Sequence, residues 1–194
     1  MFIETETTPN PASLKFLPGQ PVMQQGTREF ASPEAAEASP LAQAIFDTGE
    51  VVNVFFGGDF VTVTAAPGVG WSDLKPQVLA ILLDHFVSQA PLFTPGTAGG
   101  IAVPPEAEAG MLVEERDEDS DIIAQINELL ETRVRPAVAG DGGDIQYRGY
   151  RDGVVHLQMQ GACSGCPSST ATLKHGIEGL LKHYVPEVVE VRAA

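Results

Sequence analysis

The chain has little cysteine and little positive charge. Among its 194 residues are two cysteines, and 11 lysines and arginines stand against 26 aspartates and glutamates, a formal net charge of −15 at pH 7. A field this negative repels phosphate backbones, which argues against nucleic acid as a partner. Both cysteines, Cys163 and Cys166, lie in one C-x-x-C, which argues against a disulfide framework and for metal or redox chemistry.

Long apolar runs are absent as well. No stretch of about 18 or more apolar residues occurs, so we expect no membrane span. The acidic start, Met1–Glu6, lacks the basic and apolar regions of a secretory signal and the arginine-rich helix of a transit peptide. We therefore expect a cytoplasmic bacterial protein or, as the alternative, a mitochondrial matrix protein whose presequence is absent.

Charge and composition divide the chain into three parts. Residues 1–95 carry 10 acidic and 3 basic residues, residues 96–119 carry 7 and 1, and residues 120–194 carry 9 and 7. The middle part is mostly Pro, Ala, Gly and acid, and it cannot bury enough apolar surface to offset its ordering entropy. We predict an α+β protein of two small α/β-sandwich-like domains, 1–95 and 120–194, joined by a flexible acidic linker, 96–119.

The patterns in residues 1–95 predict the order ββαββα. Ser39 and Pro40 indicate the N-cap and first turn of a short helix, and Trp71–Gln89 has helical apolar spacing with Ser72 as its N-cap. Gly57–Asp59 separates two β-branched and aromatic runs, which predicts a hairpin. The predicted strands are Phe2–Thr7, Leu14–Leu17, Val51–Phe56 and Phe60–Thr64.

The patterns in residues 120–194 predict the order αββαβ. We expect a helix with Ser120 as its N-cap and Pro136 beyond its end, and a second helix after the cysteines. Asp141–Asp144 is interpreted as a turn and not as a phosphate loop, because its carboxylates would repel a phosphate. The predicted strands are Ile145–Tyr150, Val154–Met159 and Val188–Val191, and one face of the second helix is expected to carry Leu173, Ile177, Leu180, Leu181 and Tyr184.

Cys163 and Cys166 stand between a predicted strand and a predicted helix. A two-residue spacer lets both sulfurs converge on one metal or metal pair, and a helix N-terminus favours thiolate over thiol. Three kinds of site share this pattern: half of an iron–sulfur cluster site, half of a zinc site, and a dithiol redox pair. The redox pair stays open, although here a hairpin precedes the motif instead of the βαβ start of thioredoxin-like folds.

Counting ligands favours the cluster. An all-cysteine cluster takes four thiolates and structural zinc takes four ligands, whereas one chain offers two cysteines. A symmetric dimer whose two loops face each other would supply four sulfurs through an isologous contact. None of the four histidines has zinc-finger spacing to the cysteines, and we interpret them as surface residues: His85, His156, His175 and His183.

Nearly the whole chain outside the linker resembles one known family. The C-terminal part resembles the C-terminal domain of NifU, the module of Nfu-type iron–sulfur proteins, through Arg135–Pro136, Asp141–Asp144, Gly161–Thr170, Thr172–Lys174, Gly176–Glu178 and Val185–Val188. The N-terminal part resembles the Nfu N-terminal domain through Thr8–Pro11, Ser13–Phe16, Val54–Phe56, Asp59–Val63 and Trp71.

The resemblance implies a scaffold or carrier and not an enzyme, with no catalytic residues. Cys163 and Cys166 would bind a [4Fe–4S] cluster, or alternatively a [2Fe–2S] cluster, between two subunits that form a homodimer on cluster binding. Upstream cluster-assembly proteins would supply the cluster and apo iron–sulfur proteins would receive it. Because the pair holds the only cysteines, we expect at most one cluster site per dimer. The alternative function is a dithiol–disulfide redox protein that uses the same two residues.

Overall fold

The computed structural model describes residues 2–95, 116–164 and 167–193. The chain divides into two compact units, Met1–Pro104 and Pro105–Ala194. Each unit combines one sheet with helices, which confirms the predicted α+β class. No described helix is long and apolar enough to cross a membrane. The predicted boundaries of the linker stay predictions, because residues 96–115 lie outside the described residues.

The first unit contains a five-stranded antiparallel sheet in the order β1-β2-β5-β4-β3. Four strands were predicted from their β-branched and aromatic runs. The third was missed, because three residues are too few to show an alternating pattern. The strands are β1 (Glu4–Thr7), β2 (Ser13–Leu17), β3 (Arg28–Phe30), β4 (Val51–Phe56) and β5 (Val61–Ala65).

Three helices accompany this sheet: α1 (Pro33–Ala36), α2 (Pro40–Phe46) and α3 (Trp71–Ser88). The predicted cap of α2 is confirmed, since the Ser39 hydroxyl accepts a hydrogen bond from the N–H of Ala42 at 3.3 Å. The prediction that Ser72 caps α3 is wrong. Gly70 holds the N-cap position, because the helix already begins at Trp71.

The inner face of α3 corrects one histidine prediction. Leu74, Val78 and Leu82 are fully buried, and His85 continues the same helical stripe one turn further on. His85 is therefore 8% exposed, with its ring 5.3 Å from that of Phe86, and burial lowers the pKa of its imidazole. Its interpretation as a surface residue is wrong, because helical periodicity places it on the buried side.

The second unit contains a three-stranded sheet in the order β6-β7-β8. Strands β6 (Gly143–Arg151) and β7 (Val154–Gly161) form the predicted hairpin, and β8 (Glu190–Ala193) runs parallel to β7. The alternation predicted for β7 is confirmed, because its apolar side chains lie in the core of this unit. They are Val155, Leu157 and Met159.

The helical segment before β6 is longer than predicted. It comprises a 3₁₀ turn (Asp117–Asp119), α4 (Ser120–Leu129), a π turn (Leu130–Val134) and α5 (Arg135–Gly140). The predictions that Ser120 is the N-cap and that Pro136 lies beyond the end are wrong. Pro136 sits in the first turn of α5, directly after the π turn, where a missing N–H is tolerated.

The last helix, α6 (Pro167–Tyr184), follows the cysteine loop. Of its predicted apolar face, Ile177 and Leu181 are buried in the core, and Leu173 and Leu180 are partly buried against it. Tyr184 is mainly exposed, and its ring lies 5.0 Å from the guanidinium of Arg133. The helix therefore packs through its middle, while its final turn reaches solvent.

Candidate functional site

Cys163 lies in the loop that leads from β7 to α6. Its side chain is 5% exposed and packs in the hydrophobic core of the second unit. Cys166, the other predicted ligand, lies outside the described residues. Cys163 is therefore the described half of the predicted pair, and in this structure its thiol faces the interior of the domain.

Main-chain hydrogen bonds hold the loop on the end of the hairpin. The N–H of Ala162 donates to the carbonyl of Gly142 at 3.1 Å, and the N–H of Ser164 donates to the carbonyl of Gly161 at 3.1 Å. Gly142 and Gly161 have φ angles of +81° and +68°, in the left-handed region that favours glycine. Gly142 thus allows a sharp turn before β6, and Gly161 allows a sharp turn at the end of β7.

Gly143 gives the thiol its space. A Cβ placed on Gly143 would lie 2.5 Å from the carbonyl oxygen of Gln160 and 2.8 Å from Sγ of Cys163. Both distances are shorter than van der Waals contact allows. The glycine therefore permits the close approach of strand β6 to the Cys163 side chain, which no larger residue would permit without a shift of the backbone.

An ion pair between Arg135 and the buried carboxylate of Asp144 anchors the start of β6 to α5. Asp144 is 4% exposed, and its carboxylate accepts hydrogen bonds from Nε and Nη2 of Arg135 at 2.9 and 2.8 Å. It also accepts one from the N–H of Ile145 at 2.8 Å. Bidentate pairing of this kind fixes both partners in direction as well as distance. The pair therefore ties the start of β6, beside Cys163, to the preceding helix.

The role of this pair was missed by sequence reasoning. Arg135 and Asp144 are nine positions apart and belong to different elements, so no helical or strand periodicity joins them. Of the predicted Asp141–Asp144 turn, Asp141 and Gly142 form the turn, whereas Gly143 and Asp144 already belong to β6. The available signal for the pair was the segment Arg135–Pro136, which is one of the segments that resemble the NifU C-terminal domain.

Ionisation of the Cys163 thiol is strongly disfavoured in this conformation. Burial raises its pKa to about 12, and the negative charges of Asp141 and Asp144 add to the effect. The expectation that the helix N-terminus would favour thiolate is wrong for this conformation. Desolvation and the two carboxylates oppose the ionisation that a helix N-terminus favours.

This shift predicts a pH dependence of stability. The folded-state pKa of Cys163 lies above the ordinary value of 9.0, so its stabilising contribution is present below pH 9 and is lost as pH rises toward 12. With Cys166→Ser as the background, we expect the free energy of unfolding to fall more steeply between pH 9 and 11.5 with Cys163 than with Cys163→Ala. Urea titrations at several pH values measure this, and parallel pH profiles would contradict it.

The remaining histidines lie on β7 and α6. His156 is half-buried on β7, and His175 and His183 are exposed on α6. Within residues 2–95, 116–164 and 167–193, no group of three or more His, Cys, Asp or Glu side chains is arranged to hold a metal ion.

Comparison with known proteins covers both units. The family model described as "Scaffold protein Nfu/NifU N terminal" matches residues 3–89, and the one described as "NifU-like domain" matches residues 126–192. The first match covers the strands and helices of the first unit, and the second covers the cysteine loop with the hairpin and helices around it. The two units with this loop define a two-domain protein of the Nfu type.

Similar proteins span nearly all of this chain. "NifU-like protein 4, mitochondrial" of Arabidopsis thaliana is 50% identical over 190 residues, 97% of this chain and 64% of the relative, so the chain spans less than two thirds of that protein. "NFU1 iron-sulfur cluster scaffold homolog, mitochondrial" of Homo sapiens is 48% identical, covering 97% of this chain and 70% of the relative. The chain belongs to the Nfu family of NifU-like scaffold proteins.

One solved structure is also similar to part of the chain. It is the solution NMR structure of a NifU-like protein from Saccharomyces cerevisiae, with 26% identity and a TM-score of 0.45. The match covers 49% of this chain and 86% of the yeast chain.

Proposed function

We propose that this protein is an iron–sulfur cluster scaffold and carrier that receives a cluster on Cys163 and Cys166 and passes it to apo-proteins. The observation that carries the proposal is the position of Cys163, at the strand-to-helix loop of the unit that matches the NifU-like domain. The human relative, 48% identical, is named an iron–sulfur cluster scaffold. The cluster is the cargo of the protein, and no catalytic residue is proposed.

The number of ligands supports a shared cluster. Each chain supplies two thiolates and a [4Fe–4S] or all-cysteine [2Fe–2S] cluster needs four, so two copies must face each other across the cargo. We propose [4Fe–4S] as the cargo, with [2Fe–2S] as the second possibility. The dimer forms on loading, because the cluster itself supplies the bonds that join the two loops.

The local chemistry of Cys163 in this conformation supports a cluster ligand more than a redox thiol. A nucleophilic redox cysteine needs a lowered pKa, whereas the pKa of Cys163 is raised to about 12 by burial. A metal-bound thiolate has no such requirement, because a coordinated metal deprotonates the thiol outright. In this buried conformation, the raised pKa does not favour a nucleophilic redox thiol at Cys163.

Delivery follows from the same arrangement. The thiolates of an acceptor protein replace those of the scaffold one by one, and each released Cys163 can return to the core as a neutral thiol. The proposed partners are therefore upstream assembly proteins that load the cluster and apo iron–sulfur proteins that accept it. The names of the relatives favour the mitochondrial matrix over the bacterial cytoplasm as the location.

The proposal is tested by anaerobic loading and transfer. We expect the protein, incubated with iron and sulfide, to bind both and then to activate an apo-enzyme that requires a [4Fe–4S] cluster. Activation should persist when an iron chelator is added with the acceptor, since direct transfer releases no free iron. Protein that binds zinc without sulfide, or that reduces disulfides of other proteins without iron, would contradict the proposal.

A further inference from the structure

Cys163 is held in the domain interior by more than its packing. The hydroxyl of Thr170, at the end of the first turn of α6, donates a hydrogen bond to the carbonyl oxygen of Cys163 at 3.0 Å. Thr170 is partly buried, and the bond joins α6 to a residue seven positions earlier in the chain. The helix and the cysteine loop are therefore fastened to each other at the residue that bears the thiol.

This conformation and cluster binding exclude each other. A cluster shared between two chains lies at the surface of both, whereas the side chain of Cys163 is 5% exposed and belongs to the core. Sγ also lies against the backbone of strand β6, where the space exists only because residue 143 is glycine. Cys163 must therefore leave the interior before it can bind cargo, and a displacement of its main chain would break the bond from Thr170.

We propose that the Thr170 hydroxyl is a latch that keeps Cys163 inside the domain, so that the residue reaches a cluster only after this hydrogen bond breaks. Thr170 is in this sense a positioning residue, because it acts on Cys163 and touches no cargo. The loss of a partly buried hydrogen bond of this kind shifts a local opening equilibrium by about 3- to 10-fold. The effect of the latch on the exposure of Cys163 does not depend on the proposed function. Its effect on the loading and release of a cluster rests on that function.

The latch can be measured without any metal. With Cys166→Ser as the background, Cys163 is the single thiol in the chain, and its alkylation by iodoacetamide reports how often it is exposed. We expect Thr170→Val, which removes the hydroxyl and keeps the shape, to raise the alkylation rate about 3- to 10-fold. Thr170→Ser, which keeps the hydroxyl, should restore the slow rate.

Thr132→Val is the matched control. The Thr132 hydroxyl also donates to a main-chain carbonyl, that of Glu128 at 2.7 Å, but on an exposed helical turn before β6. Its loss should leave the alkylation rate within about twofold of the parent. If Thr170→Val reacts no faster than Thr132→Val, or if Thr170→Ser reacts as fast as Thr170→Val, the latch is overturned.

Hydrogen exchange separates local opening from general destabilisation. In Thr170→Val we expect faster exchange at the amides of Ala162 and Ser164, which donate to the carbonyls of Gly142 and Gly161. The amides of Val155 and Leu157, in the core strand β7, should exchange as in the parent. Equal acceleration at all four amides would show global loosening and would overturn the latch.

Cluster loading then tests separately whether the latch affects the uptake and transfer of a cluster. If both proposals hold, Thr170→Val in a chain that keeps both cysteines takes up iron and sulfide faster than the unsubstituted chain and transfers the cluster to an acceptor more slowly, because Cys163 returns to the core less readily. Failure of the unsubstituted chain to bind iron and sulfide would remove the proposed function and leave the alkylation result standing. Unchanged alkylation in a protein that loads normally would remove the latch alone.

Discussion

Cys163→Ser is expected to abolish cluster binding, with no detectable iron or sulfide after anaerobic reconstitution. In a symmetric dimer each substitution occurs twice, so one change removes two of the four thiolates. A serine hydroxyl does not replace them, since clusters of this type are held by cysteine thiolates. Absorbance in the visible range and chemical iron and sulfide assays measure the loss.

Two controls make this result specific. Cys163→Ala separates the loss of the ligand from the cost of placing a buried hydroxyl at a site that is 5% exposed. His156→Ala removes the histidine that lies on β7, the strand leading into the cysteine loop, and should bind a full complement of iron and sulfide. Retention of cluster by Cys163→Ala, or its loss in His156→Ala, would contradict the proposed ligand set.

Gly143→Ala is expected to destabilise the second unit strongly and to displace Cys163. The added methyl would lie 2.5 Å from the carbonyl oxygen of Gln160, which belongs to the neighbouring strand and cannot rotate away. It would also lie 2.8 Å from Sγ of Cys163. Forced overpacking of this kind costs about 1–3 kcal/mol, and a backbone contact places it at the upper end. Urea unfolding measures the cost.

Gly176→Ala provides the contrast. Gly176 lies within α6, and a Cβ there would meet nothing within 4 Å. Replacing a helical glycine by alanine in open space stabilises a protein by about 0.4–1 kcal/mol. The two glycine substitutions should therefore have opposite signs, and a stable Gly143→Ala protein with unchanged Cys163 alkylation would contradict the described packing of the thiol.

Elements with strong local patterns were predictable from the sequence. Three such patterns depend only on residues close together in the sequence. They are the β-branched runs of β4 and β5, the Ser39–Pro40 start of α2 and the alternation in β7. The short strand β3 and the continuation of the helix past Pro136 were not predictable in this way. The first has too few residues to form a pattern, and the second follows a π turn in which the N–H of Arg135, directly before the proline, donates to the carbonyl of Leu130.

The candidate site was likewise predictable from the sequence only in part. The motif and the count of two cysteines pointed to Cys163 and Cys166 as half of a ligand set, which stays a prediction for both. The environment of Cys163 could not be predicted from the sequence, because it depends on residues that the fold brings together. They are Gly143 across the hairpin, Thr170 from α6, and the Arg135–Asp144 pair. The expectation of a thiolate failed because burial, which a sequence does not display, dominates the helix end.

The central claim is that two copies of this chain hold one cluster between them. Native mass spectrometry of the anaerobically reconstituted protein measures it directly. We predict a species of two 20.5 kDa chains with one cluster, which for [4Fe–4S] means four iron and four sulfide, and single chains once the cluster is removed. A single chain that carries one zinc ion and no sulfide, or a complete cluster on one chain, would contradict it.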